Sequence, residues 1–301
     1  RLVYVSAWLK CHHPAAFTAA LLNSQPMGFY SPRALIEDAR RHGVRIHPVD
    51  VQYSSWDSDL EPCSDSPGEW ALRLGLRQVR GLREEHGLAL TRARGTTPFR
   101  DLGDLQRRSG LARAPLQRLA RAHALRSLHS QRRQAVWNVQ ALHDAPLFRG
   151  LVQPEPEPPL PEATPYEELE ADYRTTGHSV QGHPLSLVRA QLEKQGAWTA
   201  RQVLDAPDRC HVRVAGLVSH RQRPSTAQGI VFMTLEDETG LLNLVVKPPL
   251  FQRQRQLICG QDLLQVRARV QRDGDSVSLL ALSFSSLRLP GPLPTRSRNF
   301  H

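Results

Sequence analysis

No apolar run in the 301-residue chain reaches the roughly 18 residues of a membrane-spanning helix, which excludes a helical anchor within it. The four cysteines, Cys11, Cys63, Cys210 and Cys259, stand about fifty residues or more apart and form no Cys-x-x-Cys pair. A zinc ribbon and a thiol redox motif are therefore excluded, and a reducing, cytoplasmic setting is expected. The opening RLVYVSAWLK has neither an initiating Met nor the parts of a secretory signal, as expected of a piece of a longer protein. No Walker loop, HExxH, nucleophile elbow or paired-carboxylate signature occurs. His178 and His183 with Asp172 thus lack the companions of a catalytic set. Cys11, His12 and His13 are adjacent, point in different directions on a helix, and are expected in a core and not around a metal. Aromatics are only 6% of the residues, so stacking platforms are few.

What the chain does have is arginine. There are only three lysines, Lys10, Lys194 and Lys247. Residues 71–133 hold fifteen Arg and no Lys against four acids (Glu84, Glu85, Asp101, Asp104), a surplus of eleven, so within the total of +10 the rest of the chain sums to −1. Charge clustered in this way draws polyanions, and guanidinium forks suit phosphate. Nucleic acid is the expected partner.

A chain of this size exceeds the usual limit of one core, and a multidomain α+β organisation is expected. Residues 1–70 read as a mostly helical segment without an evident core of its own. A helix broken by Pro14 is followed by a second, capped by Ser31-Pro32 and ended near Gly43. Residues 71–135 read as short helices separated by Gly81, Gly87, Gly103 and Gly110. Residues 136–173 read as a linker, because 151–173 holds six prolines and seven acids with no base. A helical connector is expected over 174–209 and a tail over 290–301. Between them, over 210–289, the period changes to two. Strand, hairpin, short helix (LFQRQRQL) and second hairpin follow in the order of a five-stranded Greek-key barrel, the OB-fold.

Two motifs carry the expected DNA contacts. Gly81 in QVRGLREE and Gly110 in RRSGLARA mark the turns of two helix-hairpin-helix units, in which backbone N–H groups and a helix N-terminus approach phosphate. Arg80, Arg83, Arg108 and Arg113 flank these turns, and Arg118 follows. Arg83 and Ala112 replace the second glycine of each turn. In the barrel, Arg221, Arg223, Lys247, Arg267, Arg269 and Arg272 are expected to line a single-strand groove. With only Phe232, Phe251 and Phe284 nearby, the contact there is expected to be mainly electrostatic. HDAPLF (143–148) has the form of a clamp-binding peptide with Asp144 in place of the leading Gln, which makes Leu147 and Phe148 candidate partner contacts.

The stretch YVSAWLKCHHPAAFTAALLNSQPMGFYSPRALIEDARRHGVRIHPVDV resembles the fingers region of bacterial C-family, polymerase III alpha-like DNA polymerase subunits. LLNSQPMGFYSP, TTGHSVQGHPLSL (176–187) and the terminal SRNFH resemble their error-prone branch. The resemblance covers essentially the whole chain. It implies a distal fingers segment, a tandem helix-hairpin-helix domain and an OB-fold, without the palm, so no catalytic or metal-binding residue is expected here. For the intact protein it implies a DNA-directed DNA polymerase using Mg²⁺ in damage-induced translesion synthesis. A Y-family-like accessory subunit and an indirectly reached sliding clamp are the implied partners. The other reading of the same modules is a non-enzymatic DNA-binding or repair scaffold.

Overall fold

In the computed structural model the described residues are 1–27, 30–63, 69–142, 159–274 and 276–291, with the backbone alone for 298–300. Leu147 and Phe148 lie outside them. The chain divides into two units, Arg1–Val180 and Gln181–His301.

The first unit opens with α1 (Leu2–His12) and α2 (Pro14–Asn23), separated where Pro14 takes the first helical position. In α3 (Pro32–Arg41) the Ser31 hydroxyl accepts from the Ala34 N–H at 3.2 Å, and Arg40 and Arg41 sit in the last turn. Three short strands, β1 (Ile46–His47), β2 (Asp59–Pro62) and β3 (Trp70–Arg73), form a sheet in the order β1-β3-β2. Five helices follow: α4 (Glu84–Arg94), α5 (Leu102–Ser109), α6 (Arg113–Arg121), α7 (Arg132–Gln140) and α8 (Pro165–Thr175).

Residues 1–70, read as having no core of their own, share one with the segment that follows. Leu22, Ile36 and Val51 join Leu72, Leu76, Leu90, Leu105, Leu116, Leu119 and Val139 in one buried cluster. The two sequence segments share the apolar surface that neither could bury alone. Cys11, His12 and His13, expected in the core, are exposed instead. They close α1, none of whose residues is buried.

The expected linker also differs from the fold. Pro165 begins α8, and Thr164 and Glu167 cap it reciprocally, each side chain accepting from the other residue's backbone N–H. Leu169 and Tyr173 are buried from the same helix. Proline-rich composition reads as extended chain, but at the first helical position proline starts a helix, and the division between units falls after Val180.

The second unit begins with a 3₁₀ turn over Pro184–Val188, α9 (Arg189–Lys194), β4 (Ala197–Trp198) and α10 (Ala200–Leu204). The barrel comprises β5 (His211–Gln222), β6 (Val231–Glu236), β7 (Leu241–Val246), β8 (Leu263–Asp273) and β9 (Ser276–Ser286). α11 (Pro248–Gly260) joins β7 to β8, and β10 (Arg298–Phe300) adds in parallel to β5. The strands run β5-β6-β7-β9-β8, and β8 pairs back to β5, closing the cylinder. β7 and β9 are parallel, and the other barrel pairs are antiparallel. This is the expected five-stranded OB-fold.

Alternation fills the interior. Val231, Met233 and Leu235 point inward from β6, and Leu242, Leu244 and Val246 from β7; β8 adds Leu264, Val266, Ala268 and Val270. Leu250, Phe251 and Ile258 of α11 pack onto the same core. The β6–β7 turn is fixed by Asp237, whose buried carboxylate accepts from the N–H of Thr239 (2.8 Å), Gly240 (2.9 Å) and Ala200 (2.7 Å). One side chain thus shapes the hairpin and holds the start of α10 against it.

Candidate nucleic-acid interface

Both expected hairpins form. The first runs from a 3₁₀ turn at Leu76–Gln78 through Gly81 into α4, and the second from α5 through Gly110 into α6. Gly81 and Gly110 have φ of +75° and +66°, the left-handed region that a side chain disfavours. The following Leu82 and Leu111 are buried, 8% and 5% exposed, and pin each turn to the core.

The two helix N-termini differ. No side chain caps either one. The first turn of α4, however, carries Glu84 and Glu85, whose carboxylates oppose an incoming phosphate. The first turn of α6 carries no acid and begins with Arg113, with Pro115 two residues on. By contrast, the α5 N-terminus is filled by Asp101, which accepts from the Asp104 N–H at 2.7 Å. The Gly110 hairpin is therefore the stronger anion site. Arg113 lies at its mouth and donates to the Gln140 carbonyl at 3.2 Å. Arg118, two turns into α6, reaches the other hairpin: its Nε lies 3.3 Å from where a Cβ on Gly81 would be.

Two of the flanking arginines are used by the fold. The Arg108 guanidinium donates to the carbonyls of Ala93, Arg94, Thr97 and Pro98, bonds Asp104, and lies 4.8 Å over the Phe99 ring. It closes the α4–α5 connection and faces no ligand. Arg80 gives its backbone N–H to Thr175 O at 2.8 Å and its guanidinium to Arg174 O at 3.3 Å, which docks the first turn on the end of α8. Arg83 remains exposed and pairs with Glu85 at 3.2 Å.

In the barrel the expected residues do not share one groove. Arg221 is buried, 6% exposed, against Asp262 at 3.8 Å and the Gln261 carbonyl, and burial holds its pKa below the usual guanidinium range. It is structural. Arg267 and Arg269 stand on β8 opposite Arg213 and His211 of β5, whereas β6 and β7 form another wall. Arg272 donates to the carbonyls of Leu204 and Ala206. Arg223 lies 5.3 Å over the Phe251 ring, and it and Pro248, the residue after Lys247, both border Gly229. Phe232 pairs with Gln222 on β5 and Val245 on β7 and is 41% exposed, while Phe251 and Phe284 are buried. Of the three expected rings, Phe232 is thus the one open to a base, between strands that lead to Arg223 and Lys247.

Behind the hairpins lies a buried polar cluster. Asp172 accepts from the Arg132 guanidinium and from Ser179 Oγ (2.6 Å), and Arg132 Nε approaches Glu168 at 2.9 Å. His178, 3% exposed, lines a small cavity with Asp172 and Arg126, and its Nδ1 has no hydrogen-bond partner. Burial pushes the His178 pKa down to about 4, against the pull of the Asp172 carboxylate. The unfolded chain, with an ordinary histidine, binds more protons between about pH 6.5 and 4. The stability of the neutral ring is therefore complete above about 6.5 and is lost as pH falls through this window. Between pH 7 and 5 the loss is expected to be about 2 kcal/mol from this group. Urea unfolding at the two pH values should show the difference, and His178→Gln should reduce it by that amount; an unchanged difference would remove His178 as the cause.

Among the described residues, no group of three or more His, Cys, Asp or Glu side chains is placed to hold a metal ion. The side chains here do not fit the Mg²⁺ expected for the intact enzyme, and no chemical step is assigned to them. Among the described residues no helix is long and apolar enough to cross a membrane.

The helix-hairpin-helix motif family matches residues 43–135, and the OB-fold nucleic acid binding domain family matches 212–287. Proteins named error-prone DNA polymerase match throughout. The one from Anaeromyxobacter dehalogenans (strain 2CP-C) is 50% identical over 307 residues, covering 100% of this chain and 27% of its own length. That from Azoarcus sp. (strain BH72) is 48% identical, covering 100% of this chain and 29% of the relative. That from Pseudomonas syringae pv. tomato is 46% identical, covering 99% and 29%. Among solved structures, asparaginyl-tRNA synthetase from Pyrococcus horikoshii complexed with asparaginyl-adenylate is 19% identical over 33% of this chain and 24% of that one, with a TM-score of 0.27, too low to bear on function. Over its whole length, then, the chain is similar to proteins named error-prone DNA polymerase, and it spans 27 to 29% of the length of these relatives.

Proposed function

We propose that this segment holds DNA for an error-prone DNA polymerase. The observation that carries the reading is the pair of glycine-turned hairpins in an arginine-rich unit, one of which opens an uncapped, acid-free helix N-terminus next to Arg113. In this reading Gly81, Gly110, Arg83, Arg113 and Arg118 meet the phosphates of duplex DNA. The barrel's Phe232, Arg223 and Lys247 meet the single-stranded template. Nucleotidyl transfer and its Mg²⁺ belong to a part of the protein outside this segment. The intact polymerase acts in damage-induced translesion synthesis in the cytoplasm, together with a Y-family-like accessory subunit and, indirectly, a sliding clamp.

The test is equilibrium binding of the 301-residue chain to a primer–template over a salt series. Affinity is expected to fall at least ~10-fold between about 50 and 200 mM salt, with almost no dependence on sequence, because phosphate contacts release counterions. Mixed with Mg²⁺ and nucleotides, the same chain should extend no primer. Salt-independent or strongly sequence-selective binding would overturn the reading.

A further inference from the structure

Away from both hairpins, a cavity of about 470 Å³ opens between the end of α6, α7 and α8. Its volume is in the range of small-ligand sites. At its centre is Trp137, 48% exposed, the largest apolar ring left open by α7. Tryptophan concentrates at recognition sites, where an apolar ring and a polar N–H serve one contact.

What covers it follows from the surroundings. Arg133, Trp137 and Gln140 follow one another along one side of α7 at helical spacing. The Gln140 carbonyl accepts from Arg113, the residue that opens the acid-free N-terminus of α6. The row thus leads from the indole to the strongest phosphate site of the unit. Arg121 and Arg174 stand on the rim. The two acids in the lining are already spent, Glu167 on Arg133 (2.7 Å) and Glu170 on Arg174. Those pairs engage Arg133 and Arg174 as well, so the cavity joins a flat π face to the Arg121 cation with its carboxylates neutralised, which is the pairing that single-stranded nucleic acid requires.

We infer that the Trp137 cavity is a nucleotide-binding site for a DNA strand leaving the duplex, with a base stacked on the indole and a flanking phosphate on Arg121. The inference rests on the reading that this segment holds DNA, and it adds a second single-strand contact, in the first unit, to the one read in the barrel.

The test uses the 301-residue chain with two probes, a labelled oligo-dT of about 16 nucleotides and a blunt duplex of similar length. Trp137→Ala should weaken oligo-dT binding about 10-fold and leave duplex binding within about 2-fold, since stacking on aromatics is a single-strand term. Trp137→Phe, which keeps a π face, should lose less than about 3-fold. Arg121→Ala should lower the salt slope for oligo-dT by about one. If the wild-type chain binds neither probe, the DNA reading itself fails. If it binds both and Trp137→Ala binds oligo-dT as the wild type does, only this inference is overturned, and the exposed indole belongs to a protein interface.

Discussion

Replacing Asp172 with Ala is expected to cost the first unit about 3 to 5 kcal/mol. Arg132 is 6% exposed and Asp172 7%, so the loss leaves a guanidinium that can neither reach water nor recover its partner. Ser179 loses its acceptor at the same time. Glu168, still 2.9 Å from Arg132 Nε, places the expected value at the lower end. Urea unfolding of the helical signal would measure it. Adding Arg132→Met to Asp172→Ala should recover part of the loss, since the penalty comes from the stranded charge and not from the missing carboxylate. If the single variant unfolds with the wild-type midpoint, the pair contributes nothing to holding α8 on α7.

The second large effect concerns DNA. Arg113→Glu combined with Arg118→Glu removes the cation at the mouth of the Gly110 hairpin and the one lying on Gly81, and puts anions in both places. Duplex affinity should fall on the order of 100-fold near 100 mM salt, and the slope of log affinity against log salt should shrink by about two. Arg92→Glu is the control. It makes one such charge reversal at an exposed position of α4 away from both turns, half the charge change of the double variant, and should cost less than about 3-fold. Comparable losses from Arg92→Glu would mean that a diffuse positive field, with no built site, attracts the duplex.

Much of the architecture was legible beforehand. Pro14, Ser31-Pro32, the two hairpin glycines and the alternation beyond Cys210 each specify local backbone, and each formed the expected element. What composition hid was the use of the arginines. Arg94 donates to Val51 O and Ser54 O, Arg108 to four carbonyls, Arg77 to Asn23 O and Gln25 O, and Arg73 to Pro48 O. A guanidinium carries five donors in a plane and can close several loose chain ends at once, which a lysine cannot. Counting charge therefore overstated the phosphate-facing surface, and no local signal separates Arg108 from Arg113. Residues 165–173 of the expected 136–173 linker were misread for a related reason: α8 is held by a buried ion pair forty residues away in sequence, and composition carries no information about partners at that distance.

Arg118 is rooted in the second hairpin's helix and rests on the first hairpin's glycine. A phosphate drawn to either turn is therefore within the field of the same cation, and occupancy of one turn alters the electrostatics of the other. The two hairpins are therefore expected to behave as a thermodynamically coupled pair. Substitutions at Gly81 and at the α6 N-terminus should combine non-additively in a double-mutant cycle, and Arg118 is the side chain whose removal would make them independent.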